Sequence, residues 1–259
     1  MNSGKNMDSL QFDVVDDIAL MTINRAQARN SIDHAAAIGI ADAIERIETD
    51  ASIRLGILTG AGGTFCAGMD LKAFLRGEQV KFPGSGFAGL TERRTSKPLI
   101  AAVEGYALAG GFELALACDL IVAASDARFG LPEVKRGLVP NAGGLLRLPR
   151  QLPFRIAMEL VLTGEMVTAT TLEGRGLINR VVQPGTALEE ARKLAAVIVA
   201  NGPLALAACK RVMTESQDWD SREMFARQAE ITGPVFSSLD AQEGAKAFAD
   251  KRTPQWRGA

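Results

Sequence analysis

The sequence predicts an α/β protein with a helical C-terminal region, on three observations. A strand, a short helix and a second strand follow one another over residues 98–124, the spacing of a parallel-paired unit. An amphipathic pattern over about 34–47 is followed by a short apolar strand at 54–60. From Pro149 onward the pattern is helical, broken only by RVVQP at 180–184.

Taken in order, residues 1–10 are polar and lack the apolar stretch of a secretory signal, so they read as a tail. VVDDIALMTI (14–23) reads as two short strands around an Asp-Asp turn. After the polar NRAQARNSID, Ser31 or Asp33 is placed to cap the first helix, with Ile38, Ile40, Ala41, Ile44 and Ile47 as its apolar face. RLGILTG ends a strand at Gly60, and the turn-rich AGGTFCAG follows. Residues 76–97, charged and Gly-rich, read as a surface loop and then a short helix. PLIAAVEG is a buried strand, Gly110-Gly111 open a helix through FELALAC, and DLIVAA is the next strand. ARFGLPEVKRGLVPNAGG reads as strand and turn. Helices are expected at 153–163, 168–175, 186–200, 203–216, 220–232 and 239–250, and the composition shifts near residue 185. The expected organisation is a tail over 1–10, an α/β core over 11–185 and a helical oligomerisation region over 186–259.

Composition narrows the function. Hydrophobic residues make up 47% and charged residues 23%, with a net charge of −1, so no overall field draws the chain to nucleic acid or an anionic membrane. The longest apolar region, 99–124, carries Glu104, Glu113 and Asp119, against a membrane span. Cys66, Cys118 and Cys209 are scattered, and His34 is the sole histidine, which leaves little for a zinc site. Buried free thiols in a cytoplasmic protein are the expectation. GSGFAG (84–89) matches G-x-G-x-x-G but follows no apolar strand, so a flexible loop is expected there. His34, at a helix start, reads as a surface or capping residue.

Three features point to chemistry. GTFCAGMD follows an apolar strand in a Gly-rich turn that can aim N–H groups at an oxygen. Gly110 and Gly111 sit at a helix start, where unpaired N–H groups and a partial positive charge meet a ligand. Glu113 in the first turn and Glu133 after Pro132 are carboxylates near both. Together these make an oxyanion hole facing an acid/base pair. On spacing alone a second reading stays open, with Glu113 complementing the helix dipole and Glu133 a surface residue after a turn.

In NRAQARNSI, GILTGAGGTFCAGMDLK, KPLIAAVEGYALAGGFELALACD, ARFGLPEVKRGLVPNAGG and AFADKRTPQW, the chain resembles the crotonase family, the enoyl-CoA hydratases and isomerases, from about residue 11 to its end. The resemblance implies a crotonase (ClpP-like) fold, a superhelix of ββα units with a C-terminal α-helical region, assembled as trimers or dimers of trimers. It implies that the N–H groups of Met69 and Gly110 hold a thioester oxygen. Glu113 acts as base on a water that attacks C3, and Glu133 as acid toward C2. Met69, Asp70, Leu71 and Lys72 lie along coenzyme A, Lys72 at its nucleotide end. The substrate is an acyl-CoA thioester, and no metal or redox cofactor is needed.

Glu at both positions favours hydration over isomerisation, and FGLPEVKRGLVPNAGGLLRLPR with DKRTPQWRG looks most like the carnitinyl-CoA dehydratase subgroup. Ala26 stands where the family usually has Pro, Ala109 where a third Gly is common, and Met69 where Ala is frequent. Met69 bears on acyl chain length more than on reaction type. A Δ3,Δ2-enoyl-CoA isomerase and a non-catalytic acyl-CoA or partner-binding protein are the alternatives.

Overall fold

Two aspartates at positive φ, Asp16 (52°) and Asp17 (63°), turn the chain between its first strands, as the two-residue hairpin turn requires. They join β1 (Leu10–Val15) to β2 (Ile18–Ile23) in antiparallel register. The computed structural model describes residues 9–259, and its contacts divide them into two units: 9–94 with 99–195, and 95–98 with 196–259. The expected tail lies outside the described residues except at its end, where Leu10 is a buried strand residue.

Asp33, not Ser31, caps α1 (His34–Thr49), accepting from the Ala36 N–H at 2.9 Å. Its buried face is Ala36, Ala37, Ile40, Ala43, Ile44 and Ile47, rotated from the expected one so that Ile38 and Ala41 are half-buried. There follow β3 (Leu55–Gly60), α2 (Leu71–Leu75), β4 (Lys81–Phe82), β5 (Gly86–Phe87), β6 (Leu99–Val103), β7 (Tyr106–Leu108), α3 (Gly110–Ala117), β8 (Leu120–Ala124) and β9 (Arg128–Gly130). Then come α4 (Gly144–Gln151), α5 (Phe154–Thr163), β10 (Val167–Thr168), α6 (Ala169–Glu173), β11 (Arg180–Val182) and α7 (Ala187–Val199).

The main sheet runs β1-β2-β3-β6-β8-β11, with every pair after the first parallel. Strand β6 is buried along its whole length, and β3 to its last residue, which is why both read as continuous apolar runs. A smaller sheet, β10-β9-β7, pairs β7 and β9 in parallel, and it positions the site.

Two expectations fail in this unit. Residues 76–97 are largely exposed or half-buried turn and coil as expected, but they hold no helix after α2; residues 81–87 form the β4–β5 hairpin, and residues 86–91 are buried. Phe87, Ala88 and Leu90 drive that segment inward, so the GSGFAG stretch is packed rather than flexible. Helix α4 begins at Gly144, before Pro149. The helix runs through that proline, and the Leu152 N–H still closes on the Leu148 carbonyl at 2.8 Å.

The second unit comprises the end of α7, then α8 (Pro203–Glu215), α9 (Met224–Phe236) and α10 (Leu239–Ala249). Its boundary falls inside α7, after the composition shift near residue 185. Buried Asp240 accepts from the N–H groups of Arg257 (2.7 Å) and Gly258 (3.0 Å), and the Trp256 indole N–H donates to Ala200 at 2.8 Å. These bonds fasten the C-terminal segment. Cys66 and Cys118 are buried free thiols as expected, but Cys209 on α8 is exposed.

Candidate active site

Three chain segments lie side by side in parallel, all within the first unit. Cys66 bridges Ala107, and β7 pairs with β9 as far as Leu108 and Gly130. The turn 66–69, the start of α3 and the segment 131–133 therefore emerge at one end of the small sheet. The Ala109 N–H donates to Gly130 at 2.9 Å, which fixes the start of α3 against the β9 exit.

The first two segments carry N–H groups left without acceptors. Ile32 pairs with Met69 by giving its N–H to Gly68 and accepting from Asp70. In that register the Met69 N–H points away from Ile32, and among the described residues it is given to no acceptor. The Gly110 N–H, first in α3, likewise has no acceptor among the described residues. The two backbones touch. Gly68 has φ 98°, and a Cβ there would lie 3.2 Å from the Gly110 nitrogen and 2.8 Å from the Ala109 Cβ. Only glycine accommodates both the angle and the approach.

Glu113, 2% exposed, sits one turn into α3. Its Oε1 accepts from the N–H groups of Ala142 (2.7 Å) and Gly144 (2.8 Å). Burial raises its pKa, and those two donors, with the charges of Lys81 and Arg147, oppose the rise. Glu133 stands in the short 3₁₀ helix Pro132–Arg136, and its Oε2 is buried with no hydrogen-bond partner among the described residues. Burial pushes its carboxyl up to about 7, and the Glu113 charge adds to the rise. Its own N–H, a larger influence than the Glu113 charge, and Arg136 pull the other way. The two carboxyls therefore interact. Two N–H donors stabilise the charged form of Glu113; the unpartnered oxygen of Glu133 favours the neutral form.

Of the expected acyl-CoA segment, Leu71 and Lys72 are exposed and Met69 is half-buried. The Asp70 carboxylate is engaged elsewhere: it caps α2 through the Lys72 and Ala73 N–H groups and pairs with Arg25 at 3.1 Å. Burial pushes the Asp70 pKa up, but Arg25 and those N–H groups outweigh it and hold the carboxyl below its usual range. Arg25 also pairs with Asp33 at 2.9 Å. Buried Asn30 gives its amide to the carbonyls of Ala61 and Thr64. Between them, Arg25 and Asn30 fasten the turn that carries Met69.

His34 is exposed, its Nδ1 2.6 Å from the Gln79 carbonyl, and it has no place in the site. Burial pushes the Cys66 thiol up to about 12, so it stays neutral beside Gly68. Sequence reasoning missed Ala142, Gly144, Arg147, Arg25 and Asn30. The NAGG run was the one signal at the first two, since such a turn presents free N–H groups.

The chain belongs to the enoyl-CoA hydratase/isomerase family, which it matches over residues 14–259. It is 56% identical to the enoyl-CoA hydratase EchA1 of Mycobacterium marinum, whose crystal structure it fits with a TM-score of 0.96 over 97% of this chain and 100% of that one. It is 44% identical to the carnitinyl-CoA dehydratase of Salmonella arizonae, over 92% of this chain and 94% of that protein. It is also 44% identical to enoyl-CoA hydratase EchA19 of Mycobacterium tuberculosis, over 92% of each. The crotonase fold expected from the motifs is thus the fold observed.

Proposed function

We propose that this protein is an enoyl-CoA hydratase that adds water reversibly across the double bond of a 2-enoyl-CoA thioester. One observation carries the proposal: a satisfied carboxylate, Glu113, and one with an unpartnered oxygen, Glu133, sit beside two backbone N–H groups that have no acceptor among the described residues.

The thioester oxygen lies between the Met69 and Gly110 N–H groups, which withdraw charge from the conjugated system and stabilise the enolate-like transition state. Glu113 takes a proton from the water whose oxygen bonds to C3. Glu133, neutral at its raised pKa, gives its proton to C2. The pair starts and ends with one proton, held first by Glu133 and then by Glu113, and exchange with solvent restores the starting form. The chemistry calls for no metal or redox cofactor, because coenzyme A arrives as part of the substrate. Dialysis against a chelator should leave turnover unchanged.

Leu71 and Lys72 extend from the oxygen-binding turn and are exposed, where they can follow a coenzyme A chain, with Lys72 toward its phosphates. The acyl group belongs to the enoyl or carnitinyl class that relatives are named for, and a panel of thioesters differing in head group and length distinguishes these.

The assembly proposed is a homotrimer or a dimer of trimers, and exposed Phe225, Phe236 and Phe248 on α9 and α10 offer apolar surface for an interface between copies. Light scattering after size exclusion reads the assembly. No single described helix is long and apolar enough to cross a membrane, and a cytoplasmic location goes with three free cysteines.

The test is loss of conjugated thioester absorbance with crotonyl-CoA. Glu113→Gln and Glu133→Gln should each lower kcat by at least about 10²-fold with the fold intact. Near-wild-type turnover in either, or migration of a 3-enoyl double bond without hydration, sinks the proposal.

A further inference from the structure

We propose that Arg147 is a positioning residue for Glu113: its guanidinium, anchored on the Thr91 carbonyl, clamps the turn whose N–H groups hold the carboxylate and sets a positive charge beside it. This rests on Glu113 being the base.

Arg147 lies in the first turn of α4, and its side chain folds back over Gly143, occupying the space a side chain there would need. Its Nη2 donates to Thr91 at 2.6 Å. That anchor is firm, because Thr91 is buried and its Oγ1 accepts from the Phe87 N–H at 2.9 Å. The Phe87 ring in turn packs against Gly110. One segment, 87–91, thus braces both the oxygen-binding helix start and the turn that holds the base. At the other end of that turn, the Lys81 Nζ donates to the Asn141 carbonyl at 2.7 Å. Gly143 lies between the two donors Ala142 and Gly144, so displacing it spoils both bonds to Glu113.

Electrostatics point the same way. A half-buried guanidinium is a costly cation to maintain, and the carboxylates it faces are Glu113 and Glu92, with the Cys118 thiol also nearby. Glu113 in turn faces Lys81 and Arg147, both favouring its charged form, and its own charge acts on Glu133. Loss of the Arg147 charge therefore makes Glu113 easier to protonate, which a merely structural role would not do.

The experiment is the pH profile of kcat/KM for crotonyl-CoA hydration by the full-length protein and its Arg147→Gln and Arg147→Lys variants, with folding checked by circular dichroism. Arg147→Gln should move the acid limb to higher pH. A displacement of about one pH unit lowers activity about tenfold below the limb. KM should change little. Arg147→Lys keeps the charge but not the fork, so its limb should stay in place while kcat falls. A folded Arg147→Gln protein with an unmoved limb overturns the proposal. So does an Arg147→Lys limb displaced as in Arg147→Gln, and the Lys variant decides alone if the Gln variant does not fold. A fully active Glu113→Gln variant sinks the base assignment itself. An inactive one beside an unmoved Arg147→Gln limb sinks only this inference.

Discussion

Gly144 approaches Glu113 so closely that a Cβ at 144 would lie 3.1 Å from both the Cγ and the Oε1 of the glutamate. The same Cβ would meet the Leu131 Cδ1 at 3.0 Å, so it has no free side to relax toward. The Gly144 N–H is also one of the two donors to that carboxylate. Gly144 therefore sets the position of the Glu113 carboxylate by contact and by hydrogen bond together.

Gly144→Ala should press the carboxylate away from its donors by a few tenths of an ångström and lower kcat while leaving KM little changed. The protein should remain folded, because the strain falls on the ends of two side chains, Glu113 and Leu131, rather than on backbone. Steady-state kinetics with crotonyl-CoA read the effect, and an unchanged kcat would show that the base tolerates a shifted seat.

The interacting carboxyls make a specific pH prediction. On the proposed mechanism the active form in hydration is ionised Glu113 with protonated Glu133, and in dehydration the reverse. Both carry one proton, so the ratio of the two forms does not change with pH. Hydration and dehydration should therefore share one bell-shaped kcat/KM profile, with an alkaline limb set by Glu133 at about 7. An alkaline limb far from 7 would show that a group other than Glu133 sets it.

The same carboxyl affects stability. The Glu133 pKa rises from 4.5 to about 7 on folding, so its neutral form favours the folded state. That contribution is complete below 4.5 and is lost as pH climbs toward 7. Glu133→Gln removes the loss with the acid, so its Tm relative to wild type should rise between pH 5 and pH 8. A difference in Tm that is flat with pH would contradict the burial of an unpaired charge at that position.

The legibility of the site in the sequence follows from locality. Glu113 was visible because a lone carboxylate interrupts an apolar helix, and the two donor amides because glycines stand at a turn and a helix start. The bonds that hold Glu113 come from residues 29 and 31 positions later, and no periodicity connects a helix to a turn that far away. Glu133 reaches the site only through the pairing of β7 with β9, strands of three residues each, too short to show alternation. Residues 76–97 misled because their average composition is charged and Gly-rich, which hides the inward-facing Phe87–Leu90 within it. In α4, Gly144 and Pro149 read as breakers, yet the helix starts at the glycine and runs through the proline.

Gly68 and Ala109 make opposite predictions from one contact. Gly68→Ala places a Cβ 2.8 Å from the Ala109 Cβ and 3.0 Å from the Leu108 carbonyl, at a φ that disfavours it. The Met69 N–H should swing away from the oxygen site, and losing one such donor lowers kcat by about 10²–10³-fold. Ala109 already holds φ 52° and ψ −129°, a conformation proper to glycine, and such strain costs about 1–3 kcal/mol. Ala109→Gly should relieve part of it, offset by about 0.4–1 kcal/mol of added freedom in the unfolded chain, and raise Tm slightly. Its activity should persist because the Gly110 N–H is untouched. A dead Ala109→Gly variant would mean that the strained Cβ itself holds the hole open.

Arg25 tests how the oxygen-binding turn is fastened. Its Nη2 bridges Asp33, the cap of α1, and Asp70, the cap of α2, while its other nitrogen Nη1 donates to the Ser31 carbonyl. Arg25→Met leaves two mostly buried aspartates facing each other without a cation, at a cost of about 1.5–3 kcal/mol for a lost hydrogen bond to a charged group. The sign with pH follows from Asp70, whose pKa is held below its usual 3.8 on folding. Its contribution is present above 3.8 and fades as pH falls through the lowered value, so the variant's deficit in Tm should be largest near neutral pH and shrink in acid. Because Asp70 follows Met69 directly, kcat should fall with the loosened turn. A variant that loses stability but keeps full turnover would show that the turn holds its shape without the clamp.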